Sequence, residues 1–369
     1  MSIRDTVEAT PLVDNHAHAI YPLPADVTPE TFAGYFTEGP GSAHARHTIN
    51  YRVGLDLLAE RFDGQSEPEL IAQRTEVDLE SYSKELLAAA NISHICQDTG
   101  LPKGIGPDDF AAYTDATIRP MLRIENVAEE LIETTTTFVG FESEFQDRLE
   151  AALRGDHVAL KSIIAYRTGL DVGDPPRSEA AKAFVEESEG WDGRLDNPVL
   201  LDYCANVGAR IAAEYGAPMQ FHSGFGDPDA HPIFVDPGHL YDFLQRHDET
   251  DVVLLHAGYP YTRKAAYITS VLENAYLDLG MTIPFVQHGV ASLLRRTLEL
   301  APTTKLLYSS DGFGIPEWYY LAAERIRTDL TTVLEGLVAD GFLNEAYAEE
   351  VGMNILRENA VELYDLATG

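Results

Sequence analysis

Two histidines stand one residue apart near the N-terminus, His16 and His18 in "PLVDNHAHAI". Side chains at i and i+2 of an extended segment face the same way, so this one segment could give a single ion two imidazole ligands. A similar pattern returns three times: an apolar run, a metal-capable side chain, then a glycine-containing loop. "PMQFH" closes on His222 before "SGFGDPD", "VVLLH" on His256 before "AGYP", and "KLLYSSD" on Asp311 before "GFG". Neutral imidazole and carboxylate suit Zn²⁺, with a position left open for water where the site is catalytic. The His-x-His pair alone carries little weight among 12 histidines. The weight comes from His16, His18, His222, His256 and Asp311 together.

Other polar residues have two readings each. Arg167 ends an apolar run before a glycine, where it either binds a substrate carboxylate or forms a structural ion pair. Arg123 and Glu125 in "LRIEN" either pair with one another or serve the chemistry. His44 and His47 in "AHARHTINYR" share a helix face, as a lid over substrate or as a solvated surface. Asp98 of "CQDTG" ends an apolar run, where it either reaches the site or caps the next turn; Asp227 and His231 lie in the loop after His222, but turn formation explains its Asp-Pro repeat equally well.

For these residues to meet, the runs that carry them must be parallel strands ending at one mouth. Eight candidate strands alternate with helical patterns: Leu12–His16, Ile92–Gln97, Thr117–Ile124, Val158–Ala165, Pro218–His222, Val252–His256, Ala275–Leu279 and Lys305–Ser309. That alternation predicts an α/β fold, a (β/α)8 TIM barrel whose strand C-termini build the site. Residues 1–369 read as a single barrel domain. Stretches of about 19–80 and 166–198 exceed ordinary connections. They are expected as insertions on the substrate side after strands one and four.

With its order of His-x-His, histidine, histidine and aspartate at successive strand ends, the chain resembles the amidohydrolase superfamily. The stretches "ALKSIIAYRTGL", "FHSGFGDPDAHP", "LLHAGYPYTRKAAYI" and "YSSDGFGIPEWYY" are similar to its amidohydrolase-related branch. That branch includes domains joined to glutamine-synthetase-like domains in some plant and fungal proteins; no such domain is expected here. The resemblance implies one or two divalent ions, Zn²⁺ first and Mn²⁺ second. His16, His18, His222 and Asp311 would be ligands, and His256 either a ligand or a catalytic residue beside the ion. Lys161 either bridges two ions as a carboxylated lysine or is a buried lysine serving structure or substrate. The implied activity is hydrolysis of an amide C–N bond in a small, carboxylate-bearing substrate. In it Asp311 moves the proton, His256 polarises the carbonyl, and Arg167, Arg123 and His47 contact substrate. Decarboxylation or isomerisation of a small acid is the alternative, and a non-catalytic binding barrel a more distant one.

Composition limits the partners. Asp and Glu number 60 against 26 Lys and Arg, a net charge of −34. Such a field repels nucleic acid and anionic membranes. The carboxylates are scattered and only six residues are lysine, which reads as a surface adapted to high salt. No apolar run suits a membrane span, and the first residues lack a signal-peptide core. The two cysteines, Cys96 and Cys204, have no metal or redox spacing. A cytoplasmic enzyme acting on a small molecule is expected, with homo-oligomerisation left open.

Overall fold

The computed structural model describes residues 2–366. Eight parallel strands run in sequential order: β1 (Leu12–Ala17), β2 (Ile92–Asp98), β3 (Thr117–Arg123), β4 (Ala159–Ser162), β5 (Met219–Phe221), β6 (Val252–Leu254), β7 (Ala275–Asp278) and β8 (Leu306–Leu307). Closure between β8 and β1 is made just beyond the short last strand. Asn15 N donates to Tyr308 O at 3.1 Å, Asp311 N to His16 O at 3.1 Å and His18 N to Gly312 O at 2.7 Å. The structure is therefore the barrel that the alternation predicts, with helices around it.

The strands are apolar on both faces because both faces are covered. In β6, Val253 packs inward while Val252 and Leu254 pack outward under the helices. The barrel floor joins Val13, Cys96, Met121, Val253 and Leu307 to Leu363 and Tyr364 from the C-terminal segment. Local signals set the helices. In Pro198–Tyr215 the Asn197 side chain caps two backbone N–H groups, Pro198 takes the first turn, and Gly216 ends the helix in the left-handed region at φ 63°.

Several strands stop sooner than the apolar runs suggest. The fourth ends at Ser162, not Ala165, for an identifiable reason. Glu125 accepts from Ile163 N at 2.9 Å and from Ser162 Oγ at 2.6 Å, so its carboxylate takes the backbone donor at the ladder's end. A 3₁₀ turn, Ile164–Tyr166, follows. Glu125 itself lies in the first turn of helix Ile124–Thr134 and not on the strand with Arg123.

Residues after β1 form the helices Pro29–Ala33, Ile49–Arg61 and Glu67–Glu76. Phe32, Phe36, Tyr51 and Leu58 give them a separate core, shared with Trp318 of the long helix Glu317–Ala339. Residues after β4 carry the helix Arg177–Gly190. No helix among the described residues is long and apolar enough to cross a membrane.

Candidate metal centre

The site begins with a bulge. β1 pairs with β2 at Asp14↔Ile95 and next at Ala17↔Gln97, three steps against two. A bulge re-aims side chains beside it. Here it lets Asn15 and His16 both reach Gln220 of β5, which donates from Nε2 to Asn15 O (2.8 Å) and Tyr364 Oη (2.8 Å). Gln220 Oε1 accepts from His16 Nδ1 at 2.8 Å. Tyr364 in turn donates to Asn15 Oδ1 at 3.0 Å. This buried polar layer fixes the tautomer of His16: Nδ1 carries the proton and Nε2 keeps its lone pair. Leu101 O does the same for His18, accepting from Nδ1 at 3.1 Å.

Both free nitrogens converge on one carboxylate oxygen. His16 Nε2 lies 3.3 Å and His18 Nε2 3.5 Å from Asp311 Oδ1. Burial, helped by the charge of Lys161, pushes the His16 pKa down to about 4, so its ring is neutral near pH 7. Asp311 Oδ1 is buried without a hydrogen-bond partner. Three lone pairs thus face one point, and a cation satisfies all of them. The chemistry of the donors and the orphaned oxygen fit a metal ion, and ligand atoms of His16, His18 and Asp311 lie within 4.8 Å of one another. Asp311 reaches this point from a left-handed backbone, φ 52°, which an aspartate adopts only at a cost.

His222 and His256 lie beside this group without joining it. Met281 N donates to His256 Nδ1 at 3.4 Å, so His256 Nε2 carries the proton and donates to His222 Nδ1 at 3.1 Å. His222 Nε2 donates to Phe225 O. Both His222 nitrogens are thus hydrogen-bonded, and His222 is not among the three residues whose ligand atoms lie within 4.8 Å of one another. Asp278 supports His256 by accepting its backbone N–H at 3.0 Å, and also accepts from Asn15 Nδ2 (2.9 Å) and Ser309 Oγ (2.7 Å). A Cβ on Gly280 would lie 2.4 Å from Asp278 Oδ1 and 2.9 Å from His256 Nδ1, so only glycine permits this approach.

Lys161 is buried on β4 with Nζ 3.4 Å from His16 Nε2. Burial lowers its pKa to about 8. It is thus at the metal group and not deep in the barrel. Arg123 does not pair with Glu125: its Nη2 donates to Asp98 Oδ2 at 2.6 Å. Arg167 donates from Nη2 to Glu129 at 2.9 Å, which meets its charge, while its buried Nε has no partner. His47 departs most from expectation. It is exposed, at the end of the 3₁₀ turn Ala45–His47, and faces other surface hollows. The insertion folds with its aromatic core toward the barrel and sends Tyr35 and Glu38 to the site instead.

These groups line a cavity of about 340 Å³ at the strand C-termini. His16, His18, Lys161 and Asp311 form its base, with His222 and His256 beside them. Arg123, Tyr166, Arg167, Met281, Phe285, Phe313 and Trp318 line the rest of it, with Glu38 and Asp227. Gln220 and Asp278 had a signal in the sequence, a polar residue interrupting an apolar strand in "PMQFH" and "AYLDLG". Glu38 and Tyr166 had none, because an insertion and a 3₁₀ turn carry them.

The amidohydrolase family profile matches residues 140–366. Protein fluG of Emericella nidulans is 28% identical over 405 aligned residues, covering 99% of this chain and 47% of that protein. The chain thus spans about half the length of this curated relative. A candidate metal-dependent hydrolase from Lactobacillus casei superposes with a TM-score of 0.90 at 26% identity, over 99% of this chain and 97% of that one. A uronate isomerase from Thermotoga maritima superposes with a TM-score of 0.71 at 16% identity, over 98% and 96% of the two chains, a likeness of fold.

Proposed function

Because this chain belongs to the amidohydrolase family, we propose that it is a metal-dependent hydrolase cleaving the C–N bond of a small amide. One observation carries the reading: His16 Nε2, His18 Nε2 and the partnerless Asp311 Oδ1 converge on one point. Zn²⁺ is the first choice of ion for two imidazoles and a carboxylate, with Mn²⁺ second. Such an ion supplies Lewis acidity and brings the pKa of water toward about 7.

The chain's own residues do the rest. Asp311 accepts the proton of the attacking water and returns it to the leaving nitrogen. His222 and His256, buried and neutral, fix the wall beside it. The Arg167 Nε–H, free of Glu129, donates to a carboxylate oxygen of the substrate. Lys161 holds positive charge at the base of the cavity beside His16; carboxylated, it would instead offer oxygen ligands there.

The test is metal-reconstituted protein in high salt against a panel of carboxylated amides, γ-glutamyl amides included, with Asp311→Asn beside it. Amide hydrolysis that needs the ion and is abolished in a folded Asp311→Asn supports the reading. Full activity in that variant removes it. Among the described residues one group of three has ligand atoms close enough for an ion, and a single ion serves a second reading on the same site equally: isomerisation or decarboxylation of a small acid. Ketose formation from uronates, or release of CO₂, in place of amide cleavage would establish it.

A further inference from the structure

The charges around the cavity are unevenly matched. Three of its cations are already paired: Arg123 with Asp98 at 2.6 Å, Arg167 with Glu129 at 2.9 Å and Arg194 with Asp229 at 2.9 Å. Lys161 lies at the base against His16. The carboxylates of Glu38 and Asp227 line the same cavity, and neither meets a cation among the described residues. Asp227 Oδ1 accepts only the backbone N–H of Asp229, at 2.8 Å.

Tyr166 points to the same place independently. Its ring lies against His222, with centroids 4.2 Å apart, and its hydroxyl makes no hydrogen bond to the described residues. Burial first, then the charges of Glu38, Asp311 and Asp227, hold the phenol protonated. Burial first, then Asp311 and Asp227, push the Glu38 carboxyl up to about 8, the cost of a carboxylate with no cation beside it; an ammonium bound there would offset that cost and return Glu38 to its charged form. Two unmatched carboxylates and an unpartnered hydroxyl on an aromatic face are the groups that recognise an ammonium ion.

We infer that Glu38, Asp227 and the Tyr166 hydroxyl form a subsite for a cationic amine on the substrate, within the cavity that holds the metal group. The inference rests on the reading of this cavity as the substrate site. It narrows the substrate class to amides bearing a free amino group, with or without the carboxylate that Arg167 would take. The Glu38 side of the subsite comes from the first insertion, so that insertion would set specificity while the barrel sets the chemistry.

Three amides of similar length test it: 5-aminopentanamide (cationic), pentanamide (neutral) and glutaramate (anionic). Binding to Zn²⁺-reconstituted protein is followed by calorimetry, and ammonia release is measured in parallel. The cationic amide is expected to bind about tenfold more tightly than the neutral one. That advantage is expected to vanish in Glu38→Gln and fall in Asp227→Asn, with glutaramate binding not weakened. An advantage that is absent, or that survives in both folded variants, overturns the subsite, as does failure of all three to bind. Metal analysis covers the remaining occupant: a second Zn²⁺ per chain, lost in Glu38→Gln, overturns it in favour of a metal. Ammonia release reports separately on hydrolysis. Preferential binding without turnover keeps the subsite and removes only the proposed reaction on these amides.

Discussion

Gln220 Oε1 accepts the Nδ1–H of His16 at 2.8 Å, and this bond decides which nitrogen of His16 faces Asp311. The same amide donates to Asn15 O and to Tyr364 Oη, so the tautomer of a metal-ligand candidate is tied to the barrel floor. Gln220→Leu removes the acceptor and leaves buried polar groups unmet. Metal affinity is expected to fall about 10- to 100-fold. Stability of the metal-free protein should fall by about 1–3 kcal/mol. Zn²⁺ titration and thermal unfolding read the two effects separately. Unchanged affinity would show that the ion does not depend on His16 orientation.

His222 and His18 are predicted to differ, although the sequence presents them alike. His18 keeps Nε2 free beside Asp311, whereas His222 has both nitrogens bonded, to His256 and Phe225. His18→Asn should therefore lose most metal binding. His222→Asn should keep stoichiometric metal, with affinity reduced less than tenfold. Metal analysis after gel filtration checks this. Loss of the ion in His222→Asn would mean that its ring turns to the ion on binding and that four ligands hold it.

How much of this was legible beforehand depends on how local the cause was. Alternating apolar runs and helical patterns predict the barrel because most strand residues are buried on both faces. The residues closing those runs, His16, His18, His222, His256 and Asp311, do gather at one end. What the pattern could not contain was the hydrogen bonding among them. Whether His222 is a ligand depends on Met281 N and Phe225 O, backbone groups with no sequence signature. The same holds for Arg123, whose partner is Asp98 on the neighbouring strand and not Glu125 two residues on. His47 was misplaced because the insertion's fold follows its own aromatic core, which spacing along one helix face does not report.

Acid should destabilise the protein partly through His247, far in sequence from the metal group. Burial first, then Arg246, pushes its pKa down to about 4, well below the ordinary imidazole value of about 6.5. Its Nε2 meets Asn206 Oδ1 at 2.8 Å. As pH falls through about 6.5 the unfolded chain takes up the proton first, so the sign is loss of stability toward acid. The contribution is fully present above about 6.5, is lost progressively down to about 4, and changes no further below. The ring lines an open surface hollow, so its share is about 1–2 kcal/mol after solvent screening. Denaturant unfolding between pH 4 and 7 should show a shallower acid limb in His247→Gln. An identical limb would assign the pH dependence to other groups.

Salt should govern stability more strongly than any single residue. The net charge of −34 spreads over the whole surface, and some carboxylates stand where the backbone opposes them. Glu186, Glu187 and Glu189 lie near the C-terminal end of helix Arg177–Gly190, where the macrodipole favours cations. Glu349 and Glu350 are similarly placed in helix Glu345–Met353. These repulsions act across solvent and are screened as the Debye length shrinks from about 10 Å at 0.1 M to about 3 Å at 1 M. The buried pair of Arg123 and Asp98 is screened far less. Dialysis from molar salt to low salt is therefore expected to unfold the chain from its acidic surface inward, with loss of helical circular dichroism. A spectrum and melting temperature unchanged at low salt would mean that the core outweighs the repulsion, and the acidic surface would then need a cause other than adaptation to salt.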